Sequence, residues 1–235
     1  LSYKNRSDDF HGIGIAGPKS RDLLQRLVRE DVSNDKFKFR DSKRMFVAGV
    51  PAIVNRISFT GELGYEIYVA PHYQIKLYEE LMNAGKEFNI KPFGSRALMS
   101  MRLEKNWGAW TLDYRPDFTA KETGLDKFIN WDKEFIGKES AKKDNSQSKL
   151  VPLMVETNDI DVTYNEAVLK GDKSIGYVTS GGFAHFVNKS VAFSYLNTKE
   201  LNSEKGIQVE INGDLFNCLI IKEPLYDPSG QKMRS

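Results

Sequence analysis

Residues 56–69 read RISFTGELGYEIYV, which is the pattern of a strand, a tight turn bracketed by Gly61 and Gly64, and a second strand. β-branched and aromatic residues are typical of strands, and glycines of the turns between them. The second strand places one carboxylate, Glu66, between large apolar neighbours. A carboxylate in such surroundings needs a partner. We expect that partner to be either a planar donor that the protein binds or a neighbouring arginine.

The composition is that of an ordinary globular protein. The chain has 235 residues, of which 40% are hydrophobic and 28% are charged, and this length suits one large or two small domains. Its 34 basic and 32 acidic residues are scattered along the sequence, so the charge pattern favours neither nucleic acid nor a membrane as a partner.

Two further features of the sequence bear on its setting. Cys218 is the only cysteine, so no disulfide within the chain is possible. Neither a secretory signal nor an apolar run of ~20 residues is present. We therefore expect a reducing setting, either cytoplasmic or an organelle matrix. The chain begins LSYKNR, without an initiator methionine, and we expect it to be part of a longer polypeptide.

The first 145 residues show the pattern of an α+β domain. Apolar residues alternate in the predicted strands and recur at helical spacing in the predicted helices. The order resembles the split β-α-β arrangement of ferredoxin-like layers. In order, we predict a strand over 10–16, a helix with Pro18 at its first position, strands over 44–50, 52–59 and 65–70, and helices over 72–87 and 94–105.

Residues 106–125 form an irregular aromatic stretch, and a loop of this length in a compact domain usually has a function. Trp110 is a candidate for stacking on a flat ligand, although core packing explains such a ring equally well. A polar linker over residues 142–149 then leads into residues 148–235, where we predict a small β-barrel or sandwich. Its strands are predicted over 150–155, 174–179, 190–196, 207–211 and 215–221.

Three other patterns are better explained without a ligand. Gly12, Gly14 and Gly17 fit the dinucleotide pattern G-x-G-x-x-G, but the residues before Gly12 are too polar and too few for the buried strand that this fingerprint requires. We expect these glycines to lie inside an apolar strand. The three histidines lie far apart, so we expect no metal site. Residues 180–182, Ser-Gly-Gly, are predicted to form a loop at the end of a strand.

Two explanations stay open for Glu66. In the first, it forms an ion pair with an arginine such as Arg102. In the second, its carboxylate accepts two parallel N–H bonds from an aminopyrimidinone edge, which is a charge-assisted, bidentate arrangement.

A series of motifs, in the same order and spacing, resembles the folate-binding module of the glycine-cleavage T-protein family. The pattern looks most like the version fused to the C-terminal side of flavin-dependent dimethylglycine and sarcosine dehydrogenases. The motifs are AGPKS (16–20), FTGELGYE (59–66), SMRLEK (100–105), YRPDFT (114–119), ETGLD (122–126), FIGKE (135–139), VTSGG (178–182) and PLYDPSGQKMR (224–234).

Two positions depart from the T-protein pattern. Phe59 stands where that family has a tyrosine, which keeps a flat ring and loses the hydroxyl. Leu98 stands where the T-protein has an arginine that contacts the pterin. Because leucine cannot donate a hydrogen bond, this favours the dehydrogenase-fused module over a stand-alone glycine-cleavage aminomethyltransferase. A folate-binding or interaction module without turnover is the other alternative.

The resemblance also implies an organisation and a chemistry. It implies a tetrahydrofolate-binding α+β domain over residues 1–145 and a C-terminal β-barrel over residues 148–235. FAD would lie in an upstream flavin domain of the same polypeptide, which oxidises a small N-methyl amine such as dimethylglycine or sarcosine. The folate would then capture the released carbon. The implied folate-binding residues are Phe59, Glu66, Arg102 and Trp110.

The resemblance leaves the catalytic residue unassigned. The family's catalytic aspartate would lie upstream of Leu1, so no position of this chain matches it. Asp113, in the aromatic loop, is the first alternative for an acid-base group in this chain.

Overall fold

A computed structural model describes residues 2–157, 159–202 and 205–235. The chain forms two compact units. The first unit consists of Leu1–Leu98 and Ser229–Ser235, and the second of Met99–Pro228. The division into domains at residues 145 and 148 stays a prediction from the sequence pattern.

The first unit is built on a four-stranded sheet with the order β1-β4-β3-β2. All three strand pairs are antiparallel, and Gly12 of β1 lies opposite Tyr68 of β4, with Gly14 opposite Glu66. The strands are β1 (His11–Ala16), β2 (Ser42–Val47), β3 (Val50–Asn55) and β4 (Gly64–Val69).

Helices α1 (Ser20–Leu27) and α2 (Gln74–Gly85) pack on one face of this sheet. Short 3-10 helices span Pro71–Tyr73 and Lys86–Phe88, α3 spans Ser95–Glu104, and α5 spans Gln231–Arg234 at the end of the chain. Leu24 of α1 and Leu77 of α2 are buried with Tyr65 and Ile67 of β4 in one core. Since side chains alternate across a strand, Glu66 and Tyr68 lie on the opposite face of β4.

Several boundaries in the first unit differ from the sequence prediction. Helix α1 begins at Ser20 rather than at Pro18. The hairpin between β2 and β3 turns at Ala48 and Gly49, whose φ angles are 50° and 77°. Two positive φ angles are typical of a two-residue hairpin turn, so the chain reverses before Val50 instead of after it.

The second unit contains a closed six-stranded barrel with the order β10-β5-β8-β7-β6-β9. Asn212 and Gly213, with φ angles of 55° and 92°, form the tight β9–β10 turn that the Asn-Gly pair predicts. The barrel and the α+β class are confirmed; β6 was not predicted. The strands are β5 (Ser148–Val155), β6 (Ala167–Lys170), β7 (Lys173–Ala184), β8 (Lys189–Asn197), β9 (Ile207–Ile211) and β10 (Asp214–Ile220).

The prediction for residues 180–182 was wrong, because these residues lie inside β7. A Cβ built on Gly181 would lie 2.4 Å from the Val162 carbonyl oxygen, so glycine serves here for close backbone approach and not for a loop. A strand irregularity between Val178 and Ser180 accompanies it.

Before the barrel, residues 106–125 contain no helix or strand, as predicted. A short helix that the sequence did not predict, α4, spans Lys138–Lys142.

None of the helices in the described ranges combines the length and the apolar character that a membrane span requires.

Candidate functional site

A cavity of about 540 Å³ opens on the first unit. Ligand pockets are typically about 300–1,000 Å³, so the volume suits a flat bicyclic ring. The cavity is lined by strands β1 and β4, residues 57–60, helix α2, residues 90–93 and Leu98. The lining residues that matter below are Gly12, Gly14, Phe59, Glu66, Tyr68 and Leu98.

The turn before β4 places Phe59 in this lining. The strand predicted over residues 52–59 ends at Asn55, and the chain then turns under its own side-chain hydrogen bonds. Gly61 N–H donates to Ser58 Oγ at 3.0 Å, and Glu62 N–H donates to Thr60 Oγ1 at 3.2 Å. Such local bonds are typical of turns. Phe59 thereby leaves the strand and is half-buried at the cavity.

Glu66 and Tyr68 form a hydrogen-bonded pair at the cavity. They are two residues apart on β4 and therefore share a face. The Tyr68 hydroxyl donates to Glu66 Oε2 at 2.6 Å. This bond, with burial as a second cause, raises the pKa of Tyr68 to about 12. Tyr68 therefore keeps its proton at neutral pH, and the carboxylate, which has about four acceptor positions, keeps capacity for further donors.

A second carboxylate, Asp113, lies in the second unit in very different surroundings. Asp113 and Arg102 are both fully buried, and Arg102 Nη1 donates to Asp113 Oδ2 at 2.6 Å. Burial lowers the pKa of the Arg102 guanidinium, and the neighbouring Asp113 charge opposes that effect. The pair joins helix α3 to the aromatic loop.

Every acceptor position of Asp113 is in use. Oδ2 also accepts from Ala109 N–H at 2.8 Å, while Oδ1 accepts from the hydroxyls of Thr179 and Ser180 on β7, the latter at 2.7 Å. A carboxylate with four donors has no position left for a substrate proton. The geometry gives Asp113 a structural role, and the alternative of Asp113 as an acid-base group loses its basis.

Each of the two side chains considered as an ion pair has a partner inside its own unit. Glu66 has Tyr68, and Arg102 has Asp113. These contacts therefore do not support an ion pair between Glu66 and Arg102. Arg102 is fully buried with Asp113 and belongs to a structural network.

The structure brings two of the four predicted folate-binding residues together. Phe59 and Glu66 line one cavity. Trp110 lies in the second unit with 76% of its surface exposed. Its ring packs edge-on against Tyr114, with the two ring centroids 5.5 Å apart. Leu98, identified from the sequence as a departure from the T-protein pattern, lines the same cavity as Glu66.

Sequence reasoning missed Tyr68 as a site residue. The signal was present, because residues at i and i+2 of a strand share a face. Elsewhere, the Cys218 side chain is buried, and this burial raises the pKa of its thiol to about 12, as expected for a small side chain in an apolar core. Within the described residues, no group of three or more His, Cys, Asp and Glu side chains could hold a metal ion.

Comparison with known proteins agrees with this architecture. The family model "GCVT N-terminal domain" matches residues 1–133, and the model "Glycine cleavage T-protein C-terminal barrel domain" matches residues 149–227. The human protein named "Dimethylglycine dehydrogenase, mitochondrial" is 38% identical over 230 residues, which cover 96% of this chain and 27% of that protein. An aminomethyltransferase of Caldanaerobacter subterraneus subsp. tengcongensis is 32% identical over 236 residues, covering 99% of this chain and 63% of that protein.

The fold matches a solved structure as well. The glycine cleavage system aminomethyltransferase T from Bartonella henselae superimposes with a TM-score of 0.81 at 20% identity, over 93% of this chain and 60% of that one. The chain thus spans about a quarter of the dimethylglycine dehydrogenases that it matches and less than two thirds of the aminomethyltransferases. Since the N-terminal-domain model covers more than half of the residues and the barrel model most of the rest, this chain belongs to the glycine-cleavage T-protein family.

Proposed function

We propose that the first unit binds tetrahydrofolate, with Glu66 accepting the two N–H donors on the pterin's aminopyrimidinone edge. The observation behind this proposal is that Glu66 and Phe59 line the same cavity of about 540 Å³. A carboxylate with free acceptor positions matches a paired donor edge, and an aromatic ring offers a flat surface to a flat ligand.

The residues of the cavity fit such a ligand. Glu66 is the charged acceptor, Phe59 the aromatic wall and Leu98 an apolar wall. Folate, when bound, supplies a nucleophilic nitrogen that accepts a one-carbon unit. The protein's own part is to bind the ring, hold its orientation and exclude water, and fixed orientation can remove much of the entropic barrier to such a transfer.

We further propose that the chain is the one-carbon-transfer module of an N-methyl amine dehydrogenase that acts on dimethylglycine or sarcosine. Its identity to dimethylglycine dehydrogenases over nearly the whole chain supports this, and so does the apolar Leu98 in the cavity. A flavin domain of the same polypeptide, holding FAD, would then be its partner. A cytoplasmic location stays a prediction, and the human relative named above as mitochondrial favours the alternative of an organelle matrix.

A stand-alone aminomethyltransferase is the second candidate, because an enzyme of that name is 32% identical over 99% of the chain. The third is a folate-binding module without turnover, which the same cavity would serve. All three candidates share the folate site, so its test comes first.

Replacement of Glu66 tests the folate site directly. Hydrogen bonds to charged groups contribute about 1.5–3 kcal/mol each, so Glu66→Ala should weaken folinate binding at least ~10-fold. Glu66→Gln, which keeps the shape but replaces one acceptor oxygen with an NH2 donor, should also weaken folinate binding. Isothermal titration calorimetry of the wild type and both variants measures these affinities.

The matched control is Glu87→Ala in the same unit. Glu87 forms an exposed ion pair with Arg26 and does not line the cavity, so this variant should bind folinate as the wild type does. Equal affinity of Glu66→Ala and the wild type would remove Glu66 from the site, and the proposed function would lose its main support.

A further inference from the structure

We propose that Tyr68 is a positioning residue of this site: its hydroxyl fixes the Glu66 carboxylate in one orientation, and Gly12 on the neighbouring strand leaves room for its ring. This inference rests on the proposed folate function. Tyr68 would favour ligands with a paired donor edge by acting through Glu66, without needing to contact the ligand itself.

The contact between the two side chains gives the first argument. Glu66 is a flexible side chain, and a carboxylate on three rotatable bonds would otherwise sample several orientations in a cavity. The 2.6 Å bond from the Tyr68 hydroxyl ties down Oε2. The remaining acceptor positions then point in fixed directions, which is how a supporting hydrogen bond prepares a site.

The neighbouring strand gives the second argument. Gly12 lies directly opposite Tyr68 in the β1–β4 pair. A Cβ built on Gly12 would lie 3.0 Å from Tyr68 Cε1 and 3.3 Å from Cδ1, whereas a Cβ on Gly14, opposite Glu66, would meet no atom within 4 Å. Of these two glycines, Gly12 alone leaves space that the tyrosine ring needs. A methyl group there would push the ring and misalign its hydroxyl.

The hydroxyl is also a permanent donor. Because the pKa of Tyr68 is raised to about 12 by its bond to Glu66, the phenol stays protonated over the whole physiological range. The carboxylate can therefore only accept from it, and both of its roles, to Tyr68 and to the ligand, are those of an acceptor.

The main test is Tyr68→Phe, which removes the hydroxyl and keeps the ring. We expect folinate binding to weaken about 10-fold, the lower end of what loss of a supporting hydrogen bond costs at metal sites. Tyr73→Phe is the matched control, because Tyr73 belongs to the same unit and does not line the cavity. Tyr73→Phe should stay within about twofold of the wild type, since changes away from the site and without a specific contact have small effects.

A second ligand separates positioning from general damage. We compare folinate with its 2-desamino analogue, which lacks one of the two edge donors. The wild type should prefer folinate, because its fixed carboxylate accepts from both edge donors. In Tyr68→Phe the carboxylate rotates freely and gains little from the second donor, so the preference for folinate over the analogue should be smaller. A merely structural role would weaken both ligands by the same factor and leave the ratio unchanged.

Gly12→Ala supplies an independent variant. It should weaken folinate less than Tyr68→Phe does, because the ring needs to move by only a few tenths of an ångström, and it should add little in the Tyr68→Phe background. Such non-additivity is the signature of two residues that act through one contact. Thermal unfolding of each variant confirms that it is folded.

The outcomes separate the two proposals. If Glu66→Ala loses folinate and Tyr68→Phe binds like the wild type, or weakens both ligands equally, the positioning role is overturned and the folate site stands. If Glu66→Ala itself binds normally, the folate site fails. Loss of affinity together with loss of ligand preference in Tyr68→Phe supports both.

Discussion

Two carboxylates on this chain show how surroundings assign different roles to the same chemical group. Glu66 has one donor, Tyr68, and lines a cavity. Asp113 is fully buried and accepts from Arg102, the Ala109 amide and two hydroxyls. Spare acceptor capacity beside a cavity indicates ligand binding, whereas complete satisfaction indicates structure.

The buried ion pair should therefore matter for stability. Removing one partner of a buried pair typically costs about 3–5 kcal/mol, because the other charge stays buried without a partner. We expect Asp113→Ala to lower the free energy of unfolding by about that amount in urea titrations. The loss includes the hydrogen bonds of Ala109, Thr179 and Ser180 to the carboxylate.

An exposed pair provides the control for this prediction. Arg26 Nε lies 3.1 Å from Glu87 Oε1, and both side chains are at least half exposed. Such pairs contribute about 0–1 kcal/mol, so Arg26→Ala should have little effect. If Asp113→Ala cost no more than Arg26→Ala, the network around Asp113 would contribute nothing to stability.

At the scale of elements, β7 contains two adjacent glycines with different surroundings. A Cβ on Gly181 would lie 2.4 Å from the Val162 carbonyl oxygen and 2.9 Å from Val162 Cγ1, whereas a Cβ on Gly182 would meet only Leu103 Cδ1, at 3.7 Å. The first contact involves backbone, which cannot move away without disturbing the chain around Val162. The second is ordinary van der Waals contact.

These surroundings predict opposite results for two otherwise identical substitutions. Gly181→Ala should destabilise the protein by about 1–3 kcal/mol, as overpacking does, and Gly182→Ala should be neutral or slightly stabilising, since alanine reduces the entropy of the unfolded chain. Urea unfolding followed by circular dichroism measures both. Equal stability of the two variants would contradict the close approach at Gly181.

The same glycines show what sequence reasoning can and cannot reach. Alternation of apolar residues predicted β1, β4 and β9 closely, because burial on one face dictates that pattern. The Ser-Gly-Gly pattern predicts a loop, because glycine is depleted in strands, whereas these residues lie inside β7. The reason for Gly181, close approach to the Val162 backbone, depends on a contact between distant residues, and no local pattern contains it.

The site shows the same limit. Glu66 and Phe59 were identified from the sequence motif and share a cavity. The sequence does not identify Asp113 as the partner of Arg102, because Asp113 lies in a loop whose path the sequence does not specify. The Tyr68 hydrogen bond likewise depends on side-chain rotamers, whereas the sequence predicts only that Tyr68 and Glu66 share a face.

At the scale of the whole molecule, the candidate cavity belongs to one unit. Its lining residues, from Gly12 to Leu98, all lie in the first unit. Arg102 and Trp110, the other two residues predicted to bind folate, lie in the second. The proposed folate site therefore predicts which of the two units folate stabilises.

Folinate should stabilise the first unit and leave the barrel unchanged. A ligand at 100 times its dissociation constant stabilises the state that binds it by about 2.7 kcal/mol, so amides of β1 and β4 that exchange only when the unit unfolds should exchange about 100-fold more slowly. Hydrogen exchange with mass spectrometry measures this, with β5 and β8 as the internal reference. Glu66→Ala, at the same folinate concentration, should show much less protection. Protection confined to the barrel strands or to residues 106–125 would contradict the placement of the ligand in the first unit and would make Trp110 the residue to test next.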